Sequence, residues 1–334
     1  MNSAALVTMA DVAKAAGVAR STVSKALRND PTIPAARCVE VQKIAVKLGY
    51  RAHPMVSALM AQLHRTRRRS DPYHIAWIDL WPAGPRAVSP ILWKGLLAGA
   101  KRRAQELGYD IELYRVERDG ISADRLKRIM TARAQWGIII PPVPSTAMHF
   151  PLDLRGLTGV TIGTSLRSPV MHRIASNHFQ GAQLACERLR EKGFRRIGLV
   201  LSPAVNSRIG GRWHGAFLAS QSLWPRGERL PPCLVEPDAP AAFFRWLERE
   251  KPDAILLDEI HVLEWLRGGK HRPHPQVAWL AHDSGPADAW GIDHQPEQIG
   301  AAAVELVVGQ IHRNTRGSPE VPHTLLLEGV WVET

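Results

Sequence analysis

The sequence predicts an α/β protein with a small all-helical head at its N-terminus. Residues 8–50 carry three short helical patterns, whereas the chain from His74 onward alternates short apolar runs with amphipathic stretches. Such alternation is typical of a parallel sheet covered by helices. Charge divides the chain at the same place, because residues 1–70 contain twelve Lys and Arg against three Asp and Glu, or +9 of the total +12. A basic head on a nearly neutral body indicates a nucleic-acid-binding module joined to a second domain.

Composition bounds the class of protein. A chain of 334 residues is too long for one ordinary core, and 45% apolar with 22% charged residues is typical of a folded globular protein. The three cysteines, Cys38, Cys186 and Cys233, lie far apart and form no C-x-x-C pair, which argues against a disulfide framework or a zinc site. No apolar run is long enough to cross a bilayer, and the first ten residues do not form a secretion signal. We therefore expect a cytoplasmic protein with no membrane partner.

The head has the pattern of two short helices hinged at one glycine. Thr8 and Asp11 have the spacing of a capping box, and Gly17 stands where the first helix must end with a positive φ. We predict a second helix over about 20–27 and a third over about 35–48. This arrangement is typical of a helix-turn-helix, whose second helix enters a DNA major groove.

The helical period divides the head residues into an inner and an outer set. The residues predicted to form the small core are Val12, Ala13, Ala16, Val23, Leu27, Val39, Ile44 and Leu48. The second helix leaves a row of small polar and basic side chains to face outward: Arg20, Ser21, Thr22, Ser24 and Lys25. Arg20 and Lys25 can donate to guanine O6 and N7, and hydroxyl groups can fix the register on phosphates. A three-helix bundle with a solvated basic face is the alternative.

The residues of the head resemble a known family. The pattern D-V-A-x-x-A-G-V-x-x-S-T-V-S-K, from Asp11 to Lys25, and the helix that ends L-G-Y at Tyr50 closely resemble the lactose-repressor (LacI/GalR) family of bacterial transcription regulators. The resemblance implies that Arg20, Ser21 and Lys25 read base edges and that Thr22 and Ser24 mainly hold phosphates. It extends the DNA-contacting set to Thr8, Tyr50 and His53. Ala19 departs from the serine N-cap usual in the family, which weakens the start of the helix by about 1 kcal/mol.

Residues 51–71 are predicted to form a hinge helix and a basic linker. Met55, Leu59 and Leu63 repeat on one stripe of a stretch too short to be a stable helix alone. In the family this segment folds on operator DNA, pairs with its twin in the dimer and inserts a leucine into a minor-groove step; Leu59 occupies that position. A connector packed on the body is the alternative, and the sequence leaves open whether the basic cluster 65–69 contacts DNA.

The body, residues 72–334, is predicted to bind an effector and to dimerise. The predicted strands are Ile75–Leu80, Ile111–Tyr114, Gly137–Ile140, Val160–Ile162, Ile197–Leu201, Ala254–Leu257 and Val277–Leu280, and the predicted helices are about 91–107, 178–192, 210–222, 240–250 and 296–313. The family body has two subdomains joined by three crossovers and is similar to periplasmic sugar-binding proteins. By this resemblance one subdomain comprises about 72–173 with 295–318, and the other about 174–294 with 319–334.

The resemblance also implies a small-molecule site in the cleft between the subdomains. Arg212 begins a segment that resembles the R-x-x-G-F segment of the family, and Asp283 falls on its ligand-binding aspartate. An arginine facing carboxylates across aromatic walls suits a polyol, because charged groups form the stronger hydrogen bonds. The candidate effector-binding residues are Arg212, Asp283, Asp258, Ser89, Trp81 and Asn177. Surface or structural ion pairs are the alternative for each charged residue.

The sequence offers no case for catalysis. It lacks the metalloprotease, P-loop, dinucleotide-binding and nucleophile-elbow motifs. His271 and His274 stand in a Pro- and charge-rich loop without nearby cysteine or acidic ligands, and we interpret that loop as solvated. Asp258, Glu259 and His261 fit the lining of a cleft better than acid–base machinery. We expect no enzyme activity, no cofactor and no metal.

Together these features predict a homodimeric transcription regulator, a repressor, that binds a near-palindromic operator in double-stranded DNA and responds to a carbohydrate effector. A cytoplasmic sugar-binding protein or enzyme with a vestigial head is the alternative, and a regulator that has lost its effector is a third hypothesis. A dimer is favoured over a tetramer because no C-terminal leucine heptad follows the last predicted strand. The sequence names neither the effector nor the operator, and it leaves open whether the effector induces or co-represses.

Overall fold

The computed structural model describes residues 7–27, 30, 32–50, 73–82, 89–145, 148–269 and 274–333. The predicted hinge over 51–71 lies outside the described residues, and with it His53, Leu59 and the basic cluster 65–69. His271 also lies outside them.

The head is a three-helix bundle. Its helices are α1 (Met9–Ala16), α2 (Arg20–Ala26) and α3 (Ala35–Leu48). Both parts of the predicted capping box are present at Thr8, and Gly17 ends α1 with φ 63°. Ala19 begins α2 without a side-chain cap, as its short side chain requires. The motif therefore folds locally as its spacing predicts.

The prediction for the inner face of α3 was partly wrong. Val39 is 50% exposed and Leu48 is 37% exposed, whereas Ile44 is half-buried against the head core. The buried positions of this helix are Cys38, Val41 and Ala45. These three share one face at helical spacing, so the helix is rotated relative to the predicted register. The small side chains Cys38 and Ala45 let α3 approach the other two helices.

The body begins at Tyr73. Its elements in chain order are β1 (Tyr73–Asp79), α4 (Pro90–Glu106), β2 (Tyr109–Arg115), α5 (Ala123–Ala132), β3 (Gly137–Ile140), β4 (Met148–His149), β5 (Thr158–Ile162), β6 (Leu166–Ser168), β7 (His172–Ser176), α6 (His178–Glu191), β8 (Ile197–Leu201), α7 (Pro203–Arg208), α8 (Arg212–Ser222), β9 (Cys233–Leu234), α9 (Pro240–Glu250), β10 (Ala254–Leu257), α10 (Ile260–Gly268), β11 (Gln276–Trp279), β12 (Trp290–Asp293), α11 (Pro296–Arg313), β13 (Thr324–Leu327) and β14 (Val330–Val332). Single 3₁₀ turns lie at Arg226–Glu228 and His282–Ser284. All seven predicted strands and all five predicted helices of the body are present, with ends shifted by a few residues at most. The structure adds helices α5, α7 and α10 and strands β4, β6, β7, β9, β12, β13 and β14, which the sequence pattern did not predict.

These elements form two lobes, each built on a six-stranded sheet. The first sheet has the order β13-β7-β5-β3-β1-β2 with every pairing parallel, and the second has the order β14-β12-β11-β10-β8-β9 with only β14 antiparallel. Each sheet is buried on both faces by apolar clusters. The chain passes between the lobes three times, after β7, after β12 and after β13.

The predicted subdomain boundaries were wrong in two places. Strand β7 lies wholly in the first sheet, although the boundary was placed at residues 173–174. The segment 319–334 was assigned to the second subdomain, but β13 pairs with β7 in the first sheet and only β14 joins the second. Backbone pairing at the edges of the two sheets decides which lobe each strand joins. Strands β13 and β14 are too short for their sequences to reveal their pairing partners.

None of the described helices is both long and apolar enough to cross a membrane. No group of three or more His, Cys, Asp or Glu side chains that could hold a metal ion was found among residues 7–50 and 73–333 as far as they are described.

Candidate functional site

The first candidate site is the outer face of α2. Val23 and Ala26 are fully buried and fix this helix on the head core. Arg20, Ser21 and Lys25 are exposed. Thr22 and Ser24 are half-buried along the edges of the same face. The helix therefore presents cationic and hydroxyl groups on one side and packs on the other, as groove reading requires.

Neighbouring segments hold this face in place. Lys25 Nζ lies 3.3 Å from Thr32 Oγ1, which in turn donates to Asp30 Oδ1 at 2.6 Å. Arg37 donates to the Ala16 carbonyl oxygen at 3.2 Å and so ties α3 to the end of α1. Thr32 therefore orients the Lys25 ammonium group, which stays at the surface.

Thr8 and Tyr50 have structural roles in the head. The Thr8 hydroxyl donates to Asp11 Oδ2 at 2.7 Å, and the hydrogen bonds from Thr8 hold the pKa of that carboxyl below its usual value. Tyr50 is half-buried against the head core, and its backbone N–H donates to the Ala45 carbonyl oxygen. The prediction that both residues contact DNA stands beside these structural roles.

The second candidate site is the cleft between the lobes. Parallel sheets place their ligand sites beyond the carboxyl ends of the strands. Trp81 follows β1, is 3% exposed, and donates from Nε1 to the Pro142 carbonyl oxygen at 2.6 Å. Asp258 follows β10, and Asp283 lies in the turn after β11. The structure therefore brings these candidate residues from both lobes to the same opening.

Direct contacts join the two lobes across this opening. Ser89 caps α4 by accepting from the Ile91 N–H, and its hydroxyl donates to the Asp283 carbonyl oxygen at 2.6 Å. Ser165 donates to the Arg208 carbonyl oxygen at 3.4 Å. Ser89 is thus a contact between the lobes, a role that its sequence did not reveal.

Both cleft carboxyl groups are poorly solvated. Burial and the neighbouring Glu259 raise the pKa of Asp258 to about 8, although the Ser202 N–H donates to its Oδ1 at 3.4 Å. Asp258 Oδ2 is buried without a hydrogen-bond partner among the described residues. Burial also raises the pKa of Asp283, and a hydrogen bond with the Ser89 side chain partly offsets that rise. The protonated Asp258 carboxyl can donate as well as accept a hydrogen bond, which suits hydroxyl groups of a ligand.

Arg212 begins α8 and reaches the opposite lobe. Its Nη1 donates to the Ile209 carbonyl oxygen and lies 3.5 Å from Thr164 Oγ1 of the first lobe. Gly210 and Gly211 precede it with φ 67° and 68°, so the predicted helix over 210–222 begins only at Arg212. The left-handed turn directs the first residue of the helix toward the cleft.

Sequence reasoning did not single out Arg208, His178 or His294, which lie beside the cleft. The Arg208 guanidinium lies 6.0 Å from the centre of the Trp81 ring. His178, Trp213 and His294 form a cluster of rings where two crossovers meet, with the rings of His178 and His294 4.9 Å apart and Trp213 stacked on His294. The sequence signal for this cluster was weak, since its members come from three distant segments.

Asn177 lies on the first crossover. Its Oδ1 accepts from the Gln180 N–H at 3.3 Å and caps α6, and its backbone N–H donates to the Leu327 carbonyl oxygen at 2.7 Å. The structure gives it a capping role and shows no hydrogen bond to the other candidate effector-binding residues.

Comparisons with known proteins place this geometry in context. Residues 8–53 match the lacI family, described as bacterial regulatory proteins. Over 237 residues the chain is 24% identical to the lactose operon repressor of Escherichia coli strain K12, in an alignment that covers 67% of this chain and 59% of that repressor. The chain thus matches less than two thirds of the length of this relative.

Solved structures share the whole two-lobed fold. A transcriptional regulator CelR–cellobiose complex is 20% identical with a TM-score of 0.54, and the alignment covers 98% of both chains. A regulatory protein of the LacI family from Chloroflexus aggregans is 16% identical with a TM-score of 0.56, covering 77% of this chain and 96% of that one. The fold is therefore that of a helix-turn-helix head on a periplasmic-binding-protein-like body.

Proposed function

We propose, from the premise that this chain belongs to the lacI family of bacterial regulatory proteins, that it is a transcription regulator controlled by a small molecule. The exposed face of α2 carries the proposal, because Arg20, Ser21 and Lys25 face outward from a helix that is fixed by buried Val23 and Ala26. As a cytoplasmic homodimer and repressor it would bind a near-palindromic operator, since two-fold symmetry in the protein is matched by symmetry in the DNA.

The proposed regulation depends on the two lobes. An effector in the cleft contacts Arg212, Asp258 and Asp283 and changes the relative angle of the lobes. This shifts the population of dimers whose hinge segments can pair on DNA. The hinge over 51–71, with Leu59 as a minor-groove wedge and His53 as a further DNA contact, remains part of the proposal. The carbohydrate nature of the effector is supported by the poorly solvated carboxyl groups of Asp258 and Asp283.

The proposal is tested first by selecting duplexes from a random DNA pool and titrating the enriched duplex against salt. We expect a near-palindromic site with a flexible pyrimidine–purine step at its centre and a steep loss of affinity as salt rises. Binding that follows charge alone, without enrichment, would support the alternative in which the head is vestigial.

Replacing the outward cations of α2 should weaken recognition of the selected duplex. We expect Arg20→Ala and Lys25→Ala each to lower affinity by about tenfold to one-hundred-fold, because a good base contact contributes about 1–3 kcal/mol. Fluorescence anisotropy with the selected and a scrambled duplex measures the effect. Arg226→Ala, which removes an exposed cation of the body, is the matched control. If the α2 variants lose the same affinity for the selected and the scrambled duplex, these residues contact only phosphates and do not read bases.

Changes in the cleft should uncouple the effector from DNA binding. We expect Arg212→Ala and Asp283→Ala to abolish the effect of an active compound on operator affinity, because each removes a charged group at the lobe junction. The compound is found by screening neutral sugars, sugar acids, sugar phosphates and nucleosides against the selected duplex. Arg155→Ala is the control, since its side chain is 90% exposed and remote from the cleft contacts. A full response in both cleft variants would place the effector elsewhere.

A further inference from the structure

We infer that the effector carries an anionic group, a carboxylate or a phosphate on a polyol skeleton, and that Arg173 and Arg212 bind it beside the loop 163–168. The inference rests on the proposed function and specifies the class of molecule that the cleft accepts. Arg173 was not among the residues singled out from the sequence.

The two guanidinium groups come from opposite lobes and converge on one residue. Arg173 on β7 donates to the Thr164 carbonyl oxygen at 3.3 Å and to the Leu166 carbonyl oxygen at 3.0 Å. Arg212 of the second lobe lies 3.5 Å from the Thr164 hydroxyl. Because Thr164 follows β5 at the carboxyl edge of the first sheet, the convergence lies at the mouth of the cleft.

Within the described part of the chain, no negative charge forms an ion pair with either arginine. Every hydrogen bond of Arg173 and Arg212 described above goes to a carbonyl or hydroxyl oxygen. No carboxylate oxygen of residues 73–82, 89–145, 148–269 or 274–333 forms an ion pair with either guanidinium. Burial first, and then the neighbouring positive charges of Arg167 and Arg212, lower the pKa of Arg173.

Ion pairs balance several other arginines of the body, whereas Arg196, Arg229 and Arg316 donate to uncharged oxygens. Arg190 lies 2.7 Å from Glu228 at a similar degree of burial, and Arg103 lies 2.7 Å from both Glu106 and Glu305. Removing cations from water without a counter-ion is unfavourable, so a bound anion would relieve a penalty that the free protein carries. Guanidinium groups match the planar geometry of carboxylate and phosphate oxygens.

The rest of the cleft fits a polyol that carries one such anion. Asp258 has a pKa of about 8 and is therefore largely protonated at neutral pH, so it does not repel an anion. Burial raises the pKa of Asp283 as well. Glu259 interacts with Arg208, which lies beside the Trp81 ring on another part of the wall. Positive charge is thus concentrated at the loop 163–168, whereas hydroxyl-binding groups occupy the rest of the opening.

Binding to matched pairs of probes tests the inference. The probes are inorganic phosphate, D-gluconate, D-galacturonate and glucose 6-phosphate, with D-glucose and D-galactose as neutral parents, and thermal unfolding of the full chain is the readout. We expect at least one anionic probe to raise the unfolding temperature while its neutral parent has no effect. Carboxylate and phosphate probes in separate arms distinguish the two chemical forms of the anion.

Variants assign the effect to the two arginines. We expect Arg173→Gln and Arg212→Gln each to weaken binding of the active anion by tenfold or more, whereas Arg155→Gln binds it as the unaltered chain does. The inference is overturned if the neutral parents stabilise as well as the anions, if the Gln variants retain full binding, or if none of the anions stabilises the chain. Duplex selection is run in parallel with the unaltered chain. Enrichment of a near-palindromic site would support the proposed function even if the inference of an anionic effector fails.

Discussion

Replacing Gly300 with alanine should lower the free energy of unfolding of the body by about 3 kcal/mol. A Cβ atom at this position would lie 2.0 Å from the Leu96 carbonyl oxygen and 2.9 Å from the Ala100 nitrogen. Both are backbone atoms of α4 and cannot rotate away, so α4 and α11 must separate. Gly99 makes the reciprocal contact, since its Cβ would lie 1.9 Å from the Glu297 carbonyl oxygen. This helix pair covers one face of the first sheet, and its separation exposes that core to water.

The chain offers a matched control on the same helix. Gly309 of α11 is half-buried, and a Cβ there would meet only the flexible end of Arg313 at 3.4 Å. We expect Gly309→Ala to stabilise the chain by up to about 1 kcal/mol, because alanine favours helix over glycine. Urea unfolding followed by tryptophan fluorescence measures both variants. A Gly300→Ala protein as stable as the unaltered chain would contradict the close approach of the two helices.

Acidification should destabilise the body through His294. The ring is 3% exposed, and burial lowers its pKa from 6.5 to about 4. Neither ring nitrogen has a hydrogen-bond partner of normal geometry in the described part of the chain. The nearby Leu280 backbone raises the pKa of His294 and so only partly offsets the lowering by burial. The folded protein therefore holds this histidine neutral, whereas the unfolded chain protonates it near pH 6.5.

The sign of the effect follows from this difference. The contribution of His294 to stability is fully present above pH 6.5 and is lost as the pH falls from 6.5 toward 4. The pKa difference corresponds to a loss of about 3 kcal/mol, and burial shifts the pKa of His178 in the same direction. Urea unfolding at a series of pH values between 4 and 8 should show this loss.

A ring-preserving substitution isolates the histidine. We expect His294→Phe to flatten the decline of stability below pH 6.5, because phenylalanine keeps the stacking on Trp213 and cannot titrate. His149→Gln, at an exposed position, should leave the decline unchanged. An equally steep decline in His294→Phe would assign the acid sensitivity to other groups.

Local sequence patterns predicted the head well because its signals act over a few residues. The hydroxyl of Thr8, the carboxylate of Asp11 and the positive φ of Gly17 define the first helix without help from the rest of the chain. The inner face of α3 was less predictable. Val39 and Val46 place apolar side chains on an outward face, so periodicity alone selects no single face. Contact with α1 and α2 decides that Cys38, Val41 and Ala45 are buried.

The two candidate sites also differ in how far the sequence could predict them. The outward cations of α2 follow from helical spacing within one segment. The cleft cations do not, because Arg173 and Arg212 come from different lobes and only the packing of the lobes places them beside Thr164. A single arginine in a sequence carries no sign of whether a carboxylate will lie next to it. Among the described residues neither arginine forms an ion pair, and this absence, which supports the inference of an anionic effector, depends on the tertiary structure alone.

The sequence by itself determined the helix-turn-helix, the alternation of strands and helices and the concentration of charge in the head, since each depends on residues that are near in the chain. Only the tertiary structure decided which lobe receives each of the last two strands. Both β13 and β14 are short and apolar, and β13 pairs with β7 whereas β14 pairs with β12. Strand pairing joins backbones that are distant in sequence, so short edge strands contain no local signal of their partner.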